Sequence, residues 1–128
     1  MIGNYIANMM IKPGQSPVFG NPGDFGLEYE DVTFQAADGV TLSGWLIKGN
    51  KDKVIIQSHV GVQFSRSGYT LEGKGRMKGY PTDIEFLNQD KYLVDAGYTV
   101  LMYDMRNHGN SGEGPCPCII PFFHLSLF

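Results

Sequence analysis

The stretch that most constrains this chain is Tyr98–Gly112, YTVLMYDMRNHGNSG. Its first residues, Tyr98 to Tyr103, are apolar or β-branched on both sides of the period-2 repeat. That suits a strand covered on both faces better than the surface of a helix. The run ends at once in a polar turn of Asp104, Arg106, His108, Gly109 and Ser111. Such a strand needs layers of other structure around it, so the rest of the chain has to supply a sheet and helices.

The residues before it supply them. Leu27–Ala36 alternates, with Val32, Phe34 and Ala36 on one side and Thr33 and Gln35 on the other. Asp38-Gly39 marks a hairpin turn, and Val40–Lys48 reads as the antiparallel return strand. Val54-Ile55-Ile56 is a continuous apolar run, which predicts a second strand covered on both faces. The glycine-rich, polar segment Val60–Pro81 follows, carrying Arg66, Lys74, Arg76 and Lys78 against one acid, Glu72. A loop of this length inside a compact domain is commonly functional or mobile. Anion binding at Arg66–Lys78 is one reading of it, and a solvated loop is the simpler one. Thr82 or Asp83 can cap a helix running to Ala96, with Ile84, Leu87 and Val94 near one face and Gly97 as the stop. The predicted class is α/β: an antiparallel hairpin followed by one strand–helix–strand unit, right-handed by the general rule.

The two ends have a different texture. Met1–Ile11 predicts a short helix stopped by Pro13-Gly14, and Pro13–Gly26 reads as an extended leader. Gly114–Phe128, GPCPCIIPFFHLSLF, has no Asp, Glu, Lys or Arg, and its prolines exclude a continuous helix. The expected organisation is therefore a leader at 1–26, a domain portion at 27–113 and an atypical apolar tail at 114–128. A frameshift, an altered splice or a fragmentary gene model would explain such a tail.

Composition removes several function classes. The 128 residues carry a net charge of −3 and hold only two cysteines, so no overall charge draws the chain to nucleic acid or an anionic membrane. Cys116 and Cys118 lack a second ligand pair for metal. No apolar run reaches membrane-spanning length, and Met1–Gly14 lacks the basic flank of a secretory signal. The expectation is a cytoplasmic protein with no cofactor, no metal, and no nucleic-acid or membrane partner. Gly68–Lys74 nearly spells a phosphate-binding loop, but Gly75 stands where the magnesium-binding hydroxyl belongs, so chance is the better account.

The order of hairpin, apolar strand, His-containing loop, helix, and strand ending in Asp104-Met105-Arg106-Asn107-His108-Gly109-Asn110-Ser111 resembles the N-terminal half of an α/β-hydrolase. It is most similar to the branch of serine aminopeptidase-like, dienelactone-hydrolase-like and prolyl-oligopeptidase-type enzymes. Tyr29–Gly49, Val54–Tyr69 and Gly97–Gly112 carry the likeness. The resemblance implies a partial α/β-hydrolase fold in which Tyr98–Tyr103 lies between the hairpin and Val54–Ser58. It also implies an oxyanion-hole N–H from Val60 or Gly61, which would stabilise charge developing on a carbonyl oxygen. In this sequence the text is His59-Val60-Gly61, with the glycine displaced by one from the family's His-Gly, and a plain chain turn at Gly61 is an equal reading. Asp104, Arg106, His108, Gly109 and Ser111 are then a structural turn, since triad members converge from separate elements.

The resemblance also points to what is missing. The family's nucleophile sits in a Gly-x-Ser-x-Gly elbow. Gly109-Asn110-Ser111-Gly112-Glu113 fails at the last position, and Ser43, Ser58, Ser65 and Ser67 fail too. No catalytic residue can be named. An ester, amide or peptide substrate is expected only for a full-length relative. Val54–Ser58 should lack its next parallel neighbour and lie at an open edge, favouring self-association. The alternative function is a non-catalytic interaction module that pairs through that edge.

Overall fold

A computed structural model describes residues 1–11, 16–59, 63–73 and 80–114. Val60 and Gly61, the loop cations Lys74, Arg76 and Lys78, and the tail from residue 115 with Cys116, Cys118 and His124 lie outside the described residues.

Helix α1 (Ile2–Ile11) contains no charged residue, and residues 1–8 are exposed. A 3-10 turn at Pro22–Phe25 is capped reciprocally: Asp24 N–H donates to Asn21 Oδ1 at 3.2 Å and Asn21 N–H to Asp24 Oδ2 at 3.0 Å. Strands β1 (Tyr29–Gln35) and β2 (Thr41–Ile47) pair antiparallel, Tyr29 against Ile47 and Gln35 against Thr41. Their turn is the predicted one, closed by Gly39 N–H donating to the Ala36 carbonyl at 2.8 Å. Strand β3 (Val54–Ser58) comes next, then the short β4 (Gly68–Tyr69) and β5 (Ile84–Glu85), helix α2 (Leu87–Asp95) and β6 (Thr99–Tyr103). The main sheet has the order β1-β2-β6-β3, with β6 antiparallel to β2 and parallel to β3. The hairpin and the β3–α2–β6 unit, with β6 inside, agree with the architecture expected from the sequence.

Alternation of side chains sorts the core onto two faces. Trp45, Ile47, Val100 and Met102 point to one, where Leu87 of α2 covers them with Val18, Phe25 and Leu27 at the margin. Residues just before β1 therefore pack into the same core as the sheet. Hydrogen bonds tie them in: Phe19 N–H donates to Ser67 Oγ and Ser65 Oγ–H to the Pro17 carbonyl, both at 3.2 Å, and Ser16 Oγ–H reaches the Gln63 carbonyl. The opposite face holds Ala36, Leu42 and Tyr103, with Phe34 meeting Tyr103 edge-on at 5.6 Å.

Three expectations need correcting. Asp83 does not cap a helix. It accepts the Leu71 N–H at 2.8 Å, and Ile84-Glu85 pair with Gly68-Tyr69 as a two-stranded ladder, so α2 starts only at Leu87. Tertiary pairing has overridden a local capping preference. The described part of the segment 60–81 is not a plain solvated loop either, because Phe64, Ser65, Arg66, Ser67, Tyr69 and Thr70 are all buried. And β3 is not covered on both faces: Val54 is 56% and Ile56 53% exposed.

Gly68 shows how tightly the small ladder is built. Its φ is +128°, a region L side chains rarely adopt, and an added Cβ would overlap the Ile84 carbonyl. Gly68→Ala is expected to lower stability by at least about 2 kcal/mol in urea denaturation. Gly3→Ala, with open space around it in exposed α1, should not lower stability in the same experiment.

Candidate functional site

The turn after β6 is built on Asp104, which is fully buried. A buried carboxylate needs hydrogen-bond donors on both oxygens. Oδ1 accepts the Arg66 N–H at 2.6 Å; Oδ2 accepts Arg66 Nη1–H and Asn110 N–H, each at 3.0 Å. All three partners are donors, which fits the ionised form. Burial pushes the Asp104 carboxyl up from its ordinary range, and the hydrogen bonds and Arg66 act against it. Arg66 is itself buried, and its guanidinium carbon lies 4.4 Å from the centre of the Trp45 ring. The cation is held between an indole face and a carboxylate, so it is not one of a set of solvated loop charges. That corrects the grouping of Arg66 with Lys74, Arg76 and Lys78.

The other turn residues are placed by the same requirement. Gly109 has φ +47°, and a Cβ there would overlap the Asp104 carboxylate, so only glycine lets the turn close on it. Ser111 Oγ–H donates to the Asp104 carbonyl at 2.6 Å and its oxygen accepts the Ser43 N–H at 2.9 Å. Gly112 N–H donates to the Thr41 carbonyl at 2.7 Å, so the turn runs back along β2. Arg106 reaches the hairpin turn with both terminal guanidinium nitrogens on Asp38, Nη2 to Oδ1 at 3.2 Å, which holds the Asp38 carboxyl below its usual range. Asn107 exchanges two bonds with Gly114, both 2.9 Å.

His108 and His59 pack edge to face, ring centroids 4.9 Å apart. Nδ1 of His108 lies 2.9 Å from the Arg106 carbonyl, which can only accept, so that nitrogen carries the proton. Nε2 of His59 accepts the Met105 N–H at 3.0 Å, so the proton of His59 is on Nδ1, which has no partner among the described residues. Burial first, and then His108, lowers the His59 pKa from 6.5 to about 3. His59 is a neutral acceptor holding the turn, and it immediately precedes the Val60-Gly61 segment.

Sequence reasoning missed a second buried polar pair, under β3. Asp90 of α2 is fully buried; its Oδ2 accepts Gln57 Nε2–H at 3.3 Å, and its Oδ1 has no partner among the described residues. Burial raises its pKa from 3.8 to about 6, with the Gln57 bond opposing. No local signal marks it, because an acid in the first turn of a helix ordinarily faces solvent. Nor does the structure bring Asp104, His108 and Ser111 together as a relay: each is committed to a different partner. Among the described residues, no group of three or more His, Cys, Asp or Glu could hold a metal, and no helix is long and apolar enough to cross a membrane.

The chain is similar to a crystal structure of the Pyrococcus furiosus esterase PF2001, with a TM-score of 0.63 and 31% identity over 81% of this chain and 33% of that chain. The chain carries part of an α/β-hydrolase-like fold. A second crystal form of the same esterase gives a TM-score of 0.62 and 30% identity over 80% of this chain and 34% of that chain. A Penicillium α/β hydrolase, GrgF, aligns loosely, with a TM-score of 0.44 and 25% identity over 70% of this chain and 26% of that chain. No protein-family model and no curated protein matches the sequence. The chain thus spans about a third of the length of the esterase it resembles.

Two measurements test this account of the site. Arg66→Met removes the guanidinium and leaves Asp104 buried with backbone donors alone; urea denaturation should show a loss of about 3–5 kcal/mol. The second test is acid titration of stability. The neutral His59 makes the unfolded state bind more protons between pH 6.5 and about 3, so stability falls as pH falls through that window. Asp90 has the opposite sign: the folded state binds more protons between about pH 6 and 3.8, so stability rises as pH falls. Each slope is about 1.4 kcal/mol per pH unit, and the two oppose between pH 6 and 4. Asp90→Asn removes the stabilising slope. The variant should lose about 2 kcal/mol more than the parent between pH 6.5 and 4, read from urea midpoints.

Proposed function

We propose that the chain is the N-terminal portion of a serine ester or amide hydrolase domain of the serine aminopeptidase-like, dienelactone-hydrolase-like or prolyl-oligopeptidase-type branch, and that these residues alone do not hydrolyse substrate. The observation that carries this reading is a hydrolase-like sheet ending in the clamped Asp104–Ser111 turn, in a sequence with no Gly-x-Ser-x-Gly elbow. Acyl transfer needs a nucleophile with a base in reach and donors aimed at the oxyanion. Of these, the chain would contribute one donor, the backbone N–H of Val60 or Gly61. Support comes from His59, whose bond from Met105 fixes the point where that segment leaves β3. The substrate of the complete domain would be a small ester or amide or a peptide, met in the cytoplasm.

A second reading, a non-catalytic module that pairs with other proteins or with itself, is favoured by a specific observation. Among the described residues β3 is an edge strand of the sheet, with Val54 and Ile56 about half exposed. An uncovered apolar edge strand is a template for pairing.

The hydrolase reading is tested by exposing the purified chain to a fluorophosphonate probe and to p-nitrophenyl butyrate, with the Pyrococcus esterase alongside as the active reference. No serine should be labelled and no ester turned over. Covalent labelling of any serine overturns the claim that the nucleophile lies elsewhere.

A further inference from the structure

We propose that the apolar tail of this chain folds back over the face of the sheet opposite α2 and seats Phe122 against Ile56 and Val54. The inference is independent of the hydrolase reading. It competes with the second reading, because a seated tail takes from water the two side chains that favour pairing.

The register of the sheet defines the surface. Ile56 of β3 pairs with Leu101 of β6, and Leu101 pairs with Leu46 of β2. Paired residues share a face, so these three form one row across the sheet, and Val54 lies on the same face beside Thr99. That face is opposite Trp45, Ile47, Val100 and Met102, which α2 covers. The described apolar cluster on it, around Ala36, Leu42 and Tyr103, is built from strands and their turns and sits at the far end from Val54. Leu101 in the middle of the row is fully buried, whereas Val54 is 56% and Ile56 53% exposed.

The occupant is identified first by where the tail starts. Gly112 N–H donates to the Thr41 carbonyl, and a Cβ on Gly114 would lie 3.4 Å from Val40. The tail therefore leaves from the start of β2, beside the cluster that already lies on this face. Reach agrees. Ile56 is five residues along β2 and two strands across from Thr41, a separation of about 20 Å at roughly 3.3 Å per residue and 4.8 Å per strand. The eight residues from Pro115 to Phe122 span up to about 26 Å when extended. Pro115, Pro117 and Pro121 hold them away from helix and toward extended backbone. Chemistry agrees as well: Gly114–Phe128 has no Asp, Glu, Lys or Arg, so the tail covers aliphatic side chains without stranding a charge.

A second copy of the chain fits this patch less well. Two half-exposed side chains on each copy fall far short of the roughly 1,200 Å² that a stable interface buries. A tethered segment acts at an effective concentration on the order of millimolar, and so needs much less area.

Photo-crosslinking of the full chain tests the seat. Benzoylphenylalanine replaces Phe122, the protein is mixed with an isotope-labelled copy and irradiated, and the products are mapped by mass spectrometry. Links within one chain to Leu46, Val54 or Ile56 are expected. Links to that face running mainly between the two isotopic forms overturn the intramolecular seat in favour of a second copy. Links confined to α1, or none to the sheet, overturn docking on this face altogether. Carbene footprinting reads the same contact without a bulky probe. Val54 and Ile56 should label at least threefold less in the unmodified chain than in the double variant Phe122→Asp with Phe123→Asp, whose changes lie outside the described core. Equal labelling overturns the proposal, and no outcome bears on the missing nucleophile.

Discussion

Arg66 and Asp104 lie 38 positions apart, and the packing of this molecule converges on their contact. Neither charge would be buried alone, since each would lose its hydration with nothing in return. Together they fix four elements at once. Asp104 ends β6, Arg66 belongs to the segment after β3, Trp45 of β2 covers the guanidinium, and Gly109-Asn110 close over the carboxylate. The value of such a pair is less in net stability than in discrimination. Many arrangements of the same apolar residues would bury similar area, but few would also satisfy both charges. The pair therefore selects one seating of the turn against the sheet, and His59, Ser111 and Arg106 are distributed around it accordingly.

The sheet is unevenly finished. On one face α2 and the residues from Val18 to Leu27 close over Trp45, Ile47, Val100 and Met102. On the other, coverage is good near Tyr103 and fails toward β3, where Val54 and Ile56 stand half in water. Burying the exposed part of each would be worth roughly 1 kcal/mol, modest beside a typical domain stability of about 5–15 kcal/mol. An unmatched strand edge adds a row of backbone groups that favour pairing. The coverage of the esterase agrees with this picture, because the shared region is about a third of that protein.

The parts legible in the sequence were those set by local pattern. Val32 and Phe34 alternate with polar neighbours, Asp38-Gly39 spells its own turn, and Tyr98–Tyr103 is apolar throughout, so the hairpin and β6 could be read directly. The start of α2 could not. Asp83 suits a helix cap and suits equally the Leu71 N–H, and the choice was made by Gly68-Tyr69, which pair with Ile84-Glu85 from a distant segment. Arg66 sits among serines and glycine, where nothing nearby hints at a carboxylate beyond α2. Asp90 reads as part of a helix's polar face, yet it faces inward onto Gln57. In each case the missing information was a long-range partner, which residue type and spacing do not encode.

The turn that first draws attention to Asp, His and Ser is hydrogen-bonded in a way that leaves it little to offer chemically. Ser111 donates to the Asp104 carbonyl and accepts from Ser43 of β2, and Asp104 holds three donors. Those bonds make the turn rigid, and a reacting group needs a lone pair or proton still free to meet a substrate. Of the buried polar atoms without a partner among the described residues, Asp90 Oδ1 lies against β3 through Gln57, and His59 Nδ1 lies just past the end of that strand. The saturated turn acts as the anchor of the scaffold, and β3, with Val54 and Ile56 half exposed, is the least covered strand margin among the described residues.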